Sequence, residues 1–324
     1  MDKVRDGARE VLEESVWHSR RDLHQARVDS WVQPHLRRRK ARQSHPVEDF
    51  LFTYYSHRPA ALRRWHPGFG CILSGVDSSS YLTLKGYVGV STLRQAPDIA
   101  SSTTGAVPGA TGVTVPREYV DSQRPLLSSI DRLLTVTSNR PAQLGCFGMH
   151  EWAMVYRAEH AGVRHSAWPL RLGATETDDV VDTHRIACSH FDAFRFFTPA
   201  AQPLNILQPR HDDRAAFEQP GCLHAGMDLY KHAFRLSPMI CSDLVADCFE
   251  LARDIRVLDM RASPYDLSTL GYPPVKVETA EGKQEYAAAQ RAFAERGQPL
   301  RRRLIDECDR LLAAGHLTAV SRHR

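Results

Sequence analysis

Residues 242–258 read SDLVADCFELARDIRVL, and this stretch decides the class of fold. Its apolar side chains recur at intervals of three and four residues, which is the period of a helix with one buried face. That face consists of Leu244, Val245, Cys248, Leu251 and Ile255. We therefore predict a strongly amphipathic helix over these residues.

Helical spacing or capping signals recur on both sides of this stretch. They predict helices over residues 8–28, 46–56, 117–137, 148–160, 221–236 and 282–314, the last interrupted at Gly297-Gln-Pro299. Short runs at residues 71–73, 81–84 and 87–90 predict a small antiparallel sheet. Residues 94–114 are rich in Ser, Thr, Gly, Ala and Pro, which indicates a flexible loop. We expect a mainly helical α+β fold, with residues 1–324 in a single compact domain.

The composition is that of a globular protein with a real core. Of the 324 residues, 42% are hydrophobic and 25% are charged. No apolar run reaches the roughly 18 residues of a membrane helix. The first residues mix acids with bases and lack an apolar signal core, so we expect a cytoplasmic protein with no membrane partner. The seven cysteines form no CxxC pair, which favours reduced thiols and excludes a common zinc finger.

Several enzyme classes with diagnostic motifs are disfavoured. The chain has no GxGxxG sequence, no P-loop and no GxSxG sequence. The usual dinucleotide, nucleotide and serine-hydrolase sites are therefore not expected. The PCxxC half of the zinc-deaminase signature is also missing.

Residues 1–66 form a basic and aromatic N-terminal region that we predict to be helical. Basic side chains crowd residues 20–42, and such a patch attracts phosphate groups. Aromatic side chains among arginines can also stack bases. The candidate substrate-binding residues are Tyr54, Tyr55, Arg58, Arg64, Trp65 and His66. The alternative is that the charges are solvated helix faces and the aromatic residues belong to the core.

Residues 145–260 are the candidate active-site region, because they contain eight of the sixteen histidines. On a predicted strand over residues 188–196, Cys188, His190 and Asp192 would share one face. Such a row can supply a nucleophile, a base and an orienting carboxylate, or can ligate iron or zinc. The alternative is that Asp192 pairs with an arginine and His190 bonds a backbone carbonyl.

A second pair, His224 and Asp228, lies in the predicted helix 221–236. Because the two residues are one turn apart, their side chains face the same side of the helix. A histidine and a carboxylate in this arrangement suit general acid–base catalysis. They can equally form a surface ion pair worth a few tenths of a kcal/mol.

A metal site is a further alternative. The two Cys-x-His pairs that begin at Cys188 and Cys222 could meet as four ligands of iron or zinc. The geometry is not favoured, because helix positions i and i+2 point about 200° apart. His150 and Glu151 diverge by about 100° on a helix, so we expect only one of them to face a pocket. We expect no cofactor from the motifs, with iron or zinc as the metal such a site would take.

Five segments carry a resemblance to a known family. They are HPVEDFLFTYYSHRPAALRRWHPG from residue 45, CFGMHEWAMVYR from residue 146, CSHFDAFRFFTPAAQP from residue 188, EQPGCLHAGMDLYKHAFRLSP from residue 218 and SDLVADCFELARDIRVLDMRASPYDL from residue 242. They resemble a family of actinobacterial proteins commonly labelled 3-methyladenine DNA glycosylase, over nearly the whole chain. The resemblance implies an enzyme that hydrolyses the N-glycosidic bond of an alkylated purine.

A glycosylase of this type needs aromatic residues to hold an extruded base and a carboxylate to activate water or stabilise the sugar cation. The candidate catalytic residues are Asp192, His190, Asp228 and His224, and His150 and Glu151 join the substrate-binding residues. DNA or another nucleobase-containing ligand is the expected partner, and we expect Trp65 or His66 to approach the cleft of His190 and Asp192. The alternatives are a metal-dependent enzyme acting on a small molecule and a non-enzymatic nucleic-acid-binding protein.

Overall fold

The computed structural model describes residues 10–91, 111–158 and 168–314, which form one compact unit. The helices are α1 (Glu14–Lys40), α2 (Phe50–Tyr54), α3 (Pro59–Arg63), α4 (Arg117–Ser122), α5 (Arg124–Ser138), α6 (Met149–Ala153), α7 (Ala174–Thr183), α8 (Phe191–Phe194), α9 (Arg214–Phe217), α10 (Leu223–Arg235), α11 (Ser242–Arg261) and α12 (Ala280–Ala313). The strands are β1 (Glu10–Leu12), β2 (Cys71–Ser74), β3 (Val88–Ser91) and β4 (Thr111–Thr114). The predicted mainly helical α+β class is confirmed.

Helices α10, α11 and α12 pack against one another, and α5 lies along α12. The apolar stripe that identified α11 in the sequence is buried, and α1, α2 and α3 cover the helix further. Val245, Phe249 and Ile255 are all core residues. Burying each side chain of this kind stabilises the fold by about 1.5–3 kcal/mol. The packed helices form the frame that carries the polar residues described below.

Helix α12 is continuous, so the interruption predicted at Gly297-Gln-Pro299 is wrong. Packing against α5, α10 and α11 on either side of the proline offsets its missing hydrogen bond. At the start of the helix, Thr279 Oγ1 accepts a hydrogen bond from Gly282 N. A Cβ atom on Gly282 would lie 1.9 Å from the carbonyl oxygen of Lys276, so only glycine fits this turn.

The sheet has the strand order β1-β2-β4-β3. Strand β4 pairs antiparallel with β2 and β3, while β1 adds in parallel to β2. The runs predicted at residues 71–73 and 87–90 correspond to β2 and β3. The predicted flexible loop is wrong at residues 111–114, which form β4, because these residues pair on both sides. The rest of the predicted loop, residues 94–110, lies outside the described ranges.

The strand predicted over residues 81–84 is wrong, because residues 76–83 form a 3-10 helix. The hydroxyl groups of Ser78, Ser79 and Ser80 each donate to the carbonyl three residues earlier. Such local side-chain bonds compete with pairing in a sheet.

The strand predicted over residues 188–196 is also wrong. Cys188 is held in a loop by Asn205, whose Oδ1 accepts from Cys188 N at 2.7 Å and whose Nδ2 donates to Cys188 O at 3.0 Å. The chain then turns into α8, where Phe194 N donates to the carbonyl of His190. Cys188, His190 and Asp192 therefore do not share a strand face.

Several helix predictions were right in type but not in length. Helix α1 continues to Lys40, beyond the predicted end at residue 28, and α6 ends at Ala153 instead of residue 160. Helix α2 covers only part of residues 46–56. Within the described ranges, no helix is both long enough and apolar enough to cross a membrane.

Candidate functional site

Charged and titratable side chains from three helices meet inside the core. They are His150 and Glu151 from α6, His224 and Asp228 from α10, and Arg256 and Asp259 from α11. None of these residues is more than 6% exposed. Charged residues are rarely buried to this extent unless they are paired or bind something.

Three of these residues, His150, His224 and Asp259, form what we call the triad. Their ligand atoms lie within 4.8 Å of one another. His150 Nε2 is 2.9 Å from Asp259 Oδ1, and the two imidazole rings are 4.5 Å apart at 83°. The contact between His150 and Asp259 is an ion pair without hydrogen-bond angles, and Glu151 Oε1 lies 4.0 Å from the same His150 nitrogen. Two imidazoles and a carboxylate that converge in this way are arranged as metal ligands are.

Arg256 bonds Oδ2 of Asp259, the carboxylate oxygen that does not face His150. Its Nη1 lies 2.8 Å from Glu151 Oε1 and 2.5 Å from Asp259 Oδ2, and its guanidinium lies over the ring of Phe50 at 3.6 Å. One cation thus faces two carboxylates, and a proton on His150 or a bound cation would compensate the remaining negative charge.

The electrostatic environment sets the protonation states of the triad. Burial favours the neutral acid at Asp259, but His150 and Arg256 outweigh burial and hold its pKa below the usual range. Burial, reinforced by His150, lowers the pKa of His224 well below the usual value. At His150 burial acts in the same direction, but Asp259 outweighs it and raises the pKa. Metal binding at the triad would therefore release a proton from His150.

A cavity of about 600 Å³ adjoins the triad, and His150 and His224 form part of its wall. Cys146, Cys188 and Cys222 line the same cavity. Burial raises the pKa of all three thiols, to about 12 for Cys188. These cysteines are therefore neutral near pH 7 and are poor nucleophiles.

A second group, the paired cluster, consists of the buried residues His190 and Asp228 and the half-buried residues Tyr55, Arg214 and Lys231. Asp228 Oδ1 accepts from Tyr55 Oη at 2.8 Å, and Oδ2 accepts from Arg214 Nη2 at 2.6 Å and from Lys231 Nζ at 3.3 Å. His190 Nε2 is 3.3 Å from Oδ2. Burial opposes ionisation, but His190, Lys231 and Arg214 hold the pKa of Asp228 well below the usual range. A carboxylate paired so completely is a weak proton acceptor.

His190 lies between the two groups. Its ring is 5.3 Å from that of His224, and its Nε2 faces Asp228 and, at 3.6 Å, Glu218. The structure thus brings together three predicted catalytic residues, His190, His224 and Asp228. Among the described residues, His224 is the one member of the two Cys-x-His pairs that belongs to the triad.

The fourth predicted catalytic residue, Asp192, lies at an open cleft of about 350 Å³. Its carboxylate accepts a hydrogen bond from Lys231 Nζ at 2.9 Å and pairs with Arg195 Nε at 3.5 Å. The pairing with an arginine agrees with the alternative interpretation of Asp192. Tyr54 and Tyr55 line the same opening, which we call the tyrosine cleft. Three predicted site residues are therefore neighbours here.

The other predicted binding residues lie elsewhere. Trp65 is a core side chain with 1% exposure. His66 is buried, with its Nδ1 2.9 Å from Tyr87 Oη. Arg58 and Arg64 are exposed at the two ends of α3. In the part of the chain that the structure describes, the tyrosine cleft is lined by none of these four, so the expected approach of Trp65 or His66 is not seen in its wall.

Several arginines of the basic N-terminal region are paired within the fold. Arg27 Nη1 donates to Asp247 Oδ1 at 2.8 Å, and Arg38 Nη2 donates to Asp49 Oδ1 at 2.6 Å. These pairs tie α1 to α11 and to the start of α2. Part of the positive charge that predicted a phosphate-binding surface is therefore neutralised internally.

Sequence reasoning missed two residues of the site, Arg256 and Asp259. A signal was present, because Asp259 follows Ile255 by four residues and so lies on the buried face of α11. A charged residue within an apolar stripe needs a partner or a ligand. Sequence reasoning also missed Arg214 of the paired cluster and Glu218, which contacts it, and neither carries a comparable signal in the sequence.

No protein-family model, curated protein or solved structure matches the chain. The resemblance to glycosylases therefore stays a prediction. The geometry of the triad, the adjoining cavity and the tyrosine cleft is the basis for inferring a function.

Proposed function

We propose that the protein is a metal-dependent enzyme that acts on a small molecule in the cavity beside the triad. The observation that carries this proposal is the convergence of His150, His224 and Asp259, whose ligand atoms lie within 4.8 Å of one another in the core. Two imidazoles and one carboxylate are a ligand set used for iron and zinc, and they leave coordination positions for water and substrate. The cavity volume is that of a small-molecule site.

Each residue has a defined part in this proposal. His150 and His224 would present ring nitrogens from the cavity wall, and Asp259 would complete the ligand set from the core. Arg256 is a positioning residue, since it bonds the second oxygen of Asp259. Glu151 in turn holds the guanidinium of Arg256. Outer contacts of this kind fix the direction of a metal ligand.

The reaction class that fits is hydrolysis. A metal ion at the triad would lower the pKa of a bound water and polarise the substrate. In such a hydrolysis the water oxygen would form a bond to an electrophilic carbon or phosphorus atom, the bond to the leaving group would break, and the leaving group would take a proton from the water. Water would be the only co-reactant.

Elemental analysis of protein purified without a histidine tag tests the proposal. We expect about one equivalent of zinc or iron per chain, and loss of that metal in His150→Ala, His224→Ala and Asp259→Asn. The matched control is His24→Gln, which replaces a histidine of 3% exposure that bonds the carbonyl of Leu62. Circular dichroism checks that each variant is folded. Folded triad variants that keep the metal, or activity in metal-free protein, would overturn the assignment.

A second candidate is the DNA N-glycosylase implied by the family resemblance, and the tyrosine cleft is the observation that favours it. Tyr54 and Tyr55 offer aromatic faces for an extruded base, with the carboxylate of Asp192 beside them. Lys231 and Arg195 supply positive charge for a phosphate backbone. Both cations already pair with Asp192, which places this candidate second.

Release of 3-methyladenine from methylated DNA tests the glycosylase. If the candidate holds, Asp192→Asn abolishes the release, while Asp212→Asn, which alters a carboxylate of 94% exposure, leaves it unchanged. Chelator-treated protein is measured in parallel, because base release by the tyrosine cleft does not need the triad. Absence of release by the parent protein removes this candidate.

A further inference from the structure

The cavity beside the triad has an uneven distribution of charge. Arg185 and Lys283 are its permanently charged lining residues, and no carboxylate occurs in the wall that the described residues form. Arg185 is exposed and Lys283 is half-buried, whereas His150 and His224 are buried. The two cations therefore mark the open end of the cavity, and the triad marks the closed end.

In the described ranges, Arg185 and Lys283 have no ion pair, whereas Arg214 and Lys231 of the paired cluster each contact at least two carboxylates. Lysine and arginine that lie unpaired at the mouth of a pocket raise the local concentration of anions. The opening is thus selective for negative charge by its own composition.

Apolar and polar side chains share the rest of the cavity wall. Phe147, Ile186, Leu207 and Leu223 line it together with the neutral thiols, and its polar members include Gln143, Ser189, Gln219 and Tyr286. Apolar side chains in such a wall bury the alkyl or aryl part of a ligand, while the polar groups fix its orientation. The cavity therefore combines two cations, an apolar part of its wall and the two histidines of the triad.

We propose that this cavity binds an organic anion with an apolar body and a single carboxylate or phosphate group. The anionic group pairs with Arg185 and Lys283, and the apolar body extends toward the triad. The inference deepens the proposed function, because the end of the molecule near the triad would be the reacting end. Binding of the anion itself requires only the cavity and its two cations.

Isothermal titration with four probes of one chain length tests this inference. The probes are octanoate, octyl phosphate, octylammonium and 1-octanol. We expect binding of octanoate, octyl phosphate or both, which decides the anionic group, and we expect neither octylammonium nor 1-octanol to match it. Arg185→Glu and Lys283→Glu should each weaken anion binding about fivefold or more. The control is Arg302→Glu, an exposed arginine of α12 outside the cavity wall, which should leave affinity unchanged.

The variant Asp259→Asn separates this inference from the proposed function. It removes a triad ligand but leaves Arg185 and Lys283 in place, so metal should be lost while anion binding persists. Metal binding without discrimination between octanoate and octylammonium would overturn the anion inference alone. Anion binding by a protein that never holds metal would overturn the proposed function alone. Failure of both anions to bind, or full affinity in both charge-reversal variants, also ends the anion inference.

Discussion

The triad and the paired cluster both contain histidine and aspartate, yet their carboxylates are satisfied to different degrees. Both oxygens of Asp228 accept hydrogen bonds, from Tyr55, Arg214 and Lys231. Asp259 Oδ1 has no partner with hydrogen-bond geometry. Buried polar groups in folded proteins are normally satisfied, and an exception needs an explanation such as a ligand. His190 Nδ1 of the paired cluster also lacks a hydrogen-bond partner among the described residues, so the contrast lies in the two carboxylates.

The largest effect is expected when the same substitution is made in both groups. Asp259→Asn should lower metal affinity by about 100-fold or more and abolish activity, because even outer contacts of a ligand are worth about 10- to 100-fold. Asp228→Asn should leave the metal content unchanged. Dialysis against buffered metal ions followed by mass spectrometry measures both. Equal metal retention in the two variants would contradict the comparison.

For the stability of the fold, we expect the larger effect in the paired cluster. Asp228→Asn should lower the free energy of unfolding by about 3 kcal/mol, since Arg214 and Lys231 remain charged while losing a buried partner. Urea denaturation of metal-free protein measures the loss. Asp212→Asn, at an exposed position, should stay within about 0.5 kcal/mol of the parent. A loss below about 1 kcal/mol in Asp228→Asn would mean that the paired cluster does not hold the fold together.

The pH dependence of stability gives a further test of the region around the paired cluster. Burial lowers the pKa of His232, next to the paired cluster, to about 3. The unfolded chain has an ordinary histidine pKa of about 6.5, so it binds more protons than the folded chain between these values. Stability should therefore fall as the pH drops below about 6.5, by about 1.4 kcal/mol per pH unit for this residue. Denaturation at about pH 5.5 and 4.5 measures the slope. His232→Asn should show a shallower slope, and an unchanged slope would refute the assignment.

The smallest effect is expected at the edge of the paired cluster. Tyr55→Phe removes one hydrogen bond to Asp228 and should cost about 1 kcal/mol. Because burial raises the pKa of Tyr55 well above the usual value, the hydroxyl remains a donor across the working pH range. A double-mutant cycle with Asp228→Asn is the test. Strictly additive losses would show that the two residues do not interact.

The elements that were predicted correctly are those that depend on the spacing of residues along the chain. Helix α11 was found because its apolar residues recur every three or four positions, and this pattern reflects a face that is buried in the fold. The strand over residues 188–196 was wrong because Asn205, which is distant in sequence, bonds the backbone of Cys188 and directs the chain into a loop. Strand character in a short segment carries no information about such a partner.

Prediction of the candidate site was limited in the same way, because it depends on contacts between distant parts of the chain. The spacing of His224 and Asp228 placed them on one side of α10, and the structure agrees. They nevertheless contribute to different groups, because α6 and α11 approach His224 while Arg214 and Lys231 surround Asp228. Which helices meet depends on tertiary packing, and the pattern of one helix does not contain it.

The ring contact between His190 and His224 has a consequence for the molecule as a whole. It makes a continuous series of polar groups from the cavity, through the paired cluster, to Lys231 at the tyrosine cleft. In a poorly polarisable interior, a charge added at one end changes the potential at the other more than it would in water. A charged ligand bound at one opening would therefore change the affinity for a charged ligand at the other, and such a linkage would be reciprocal.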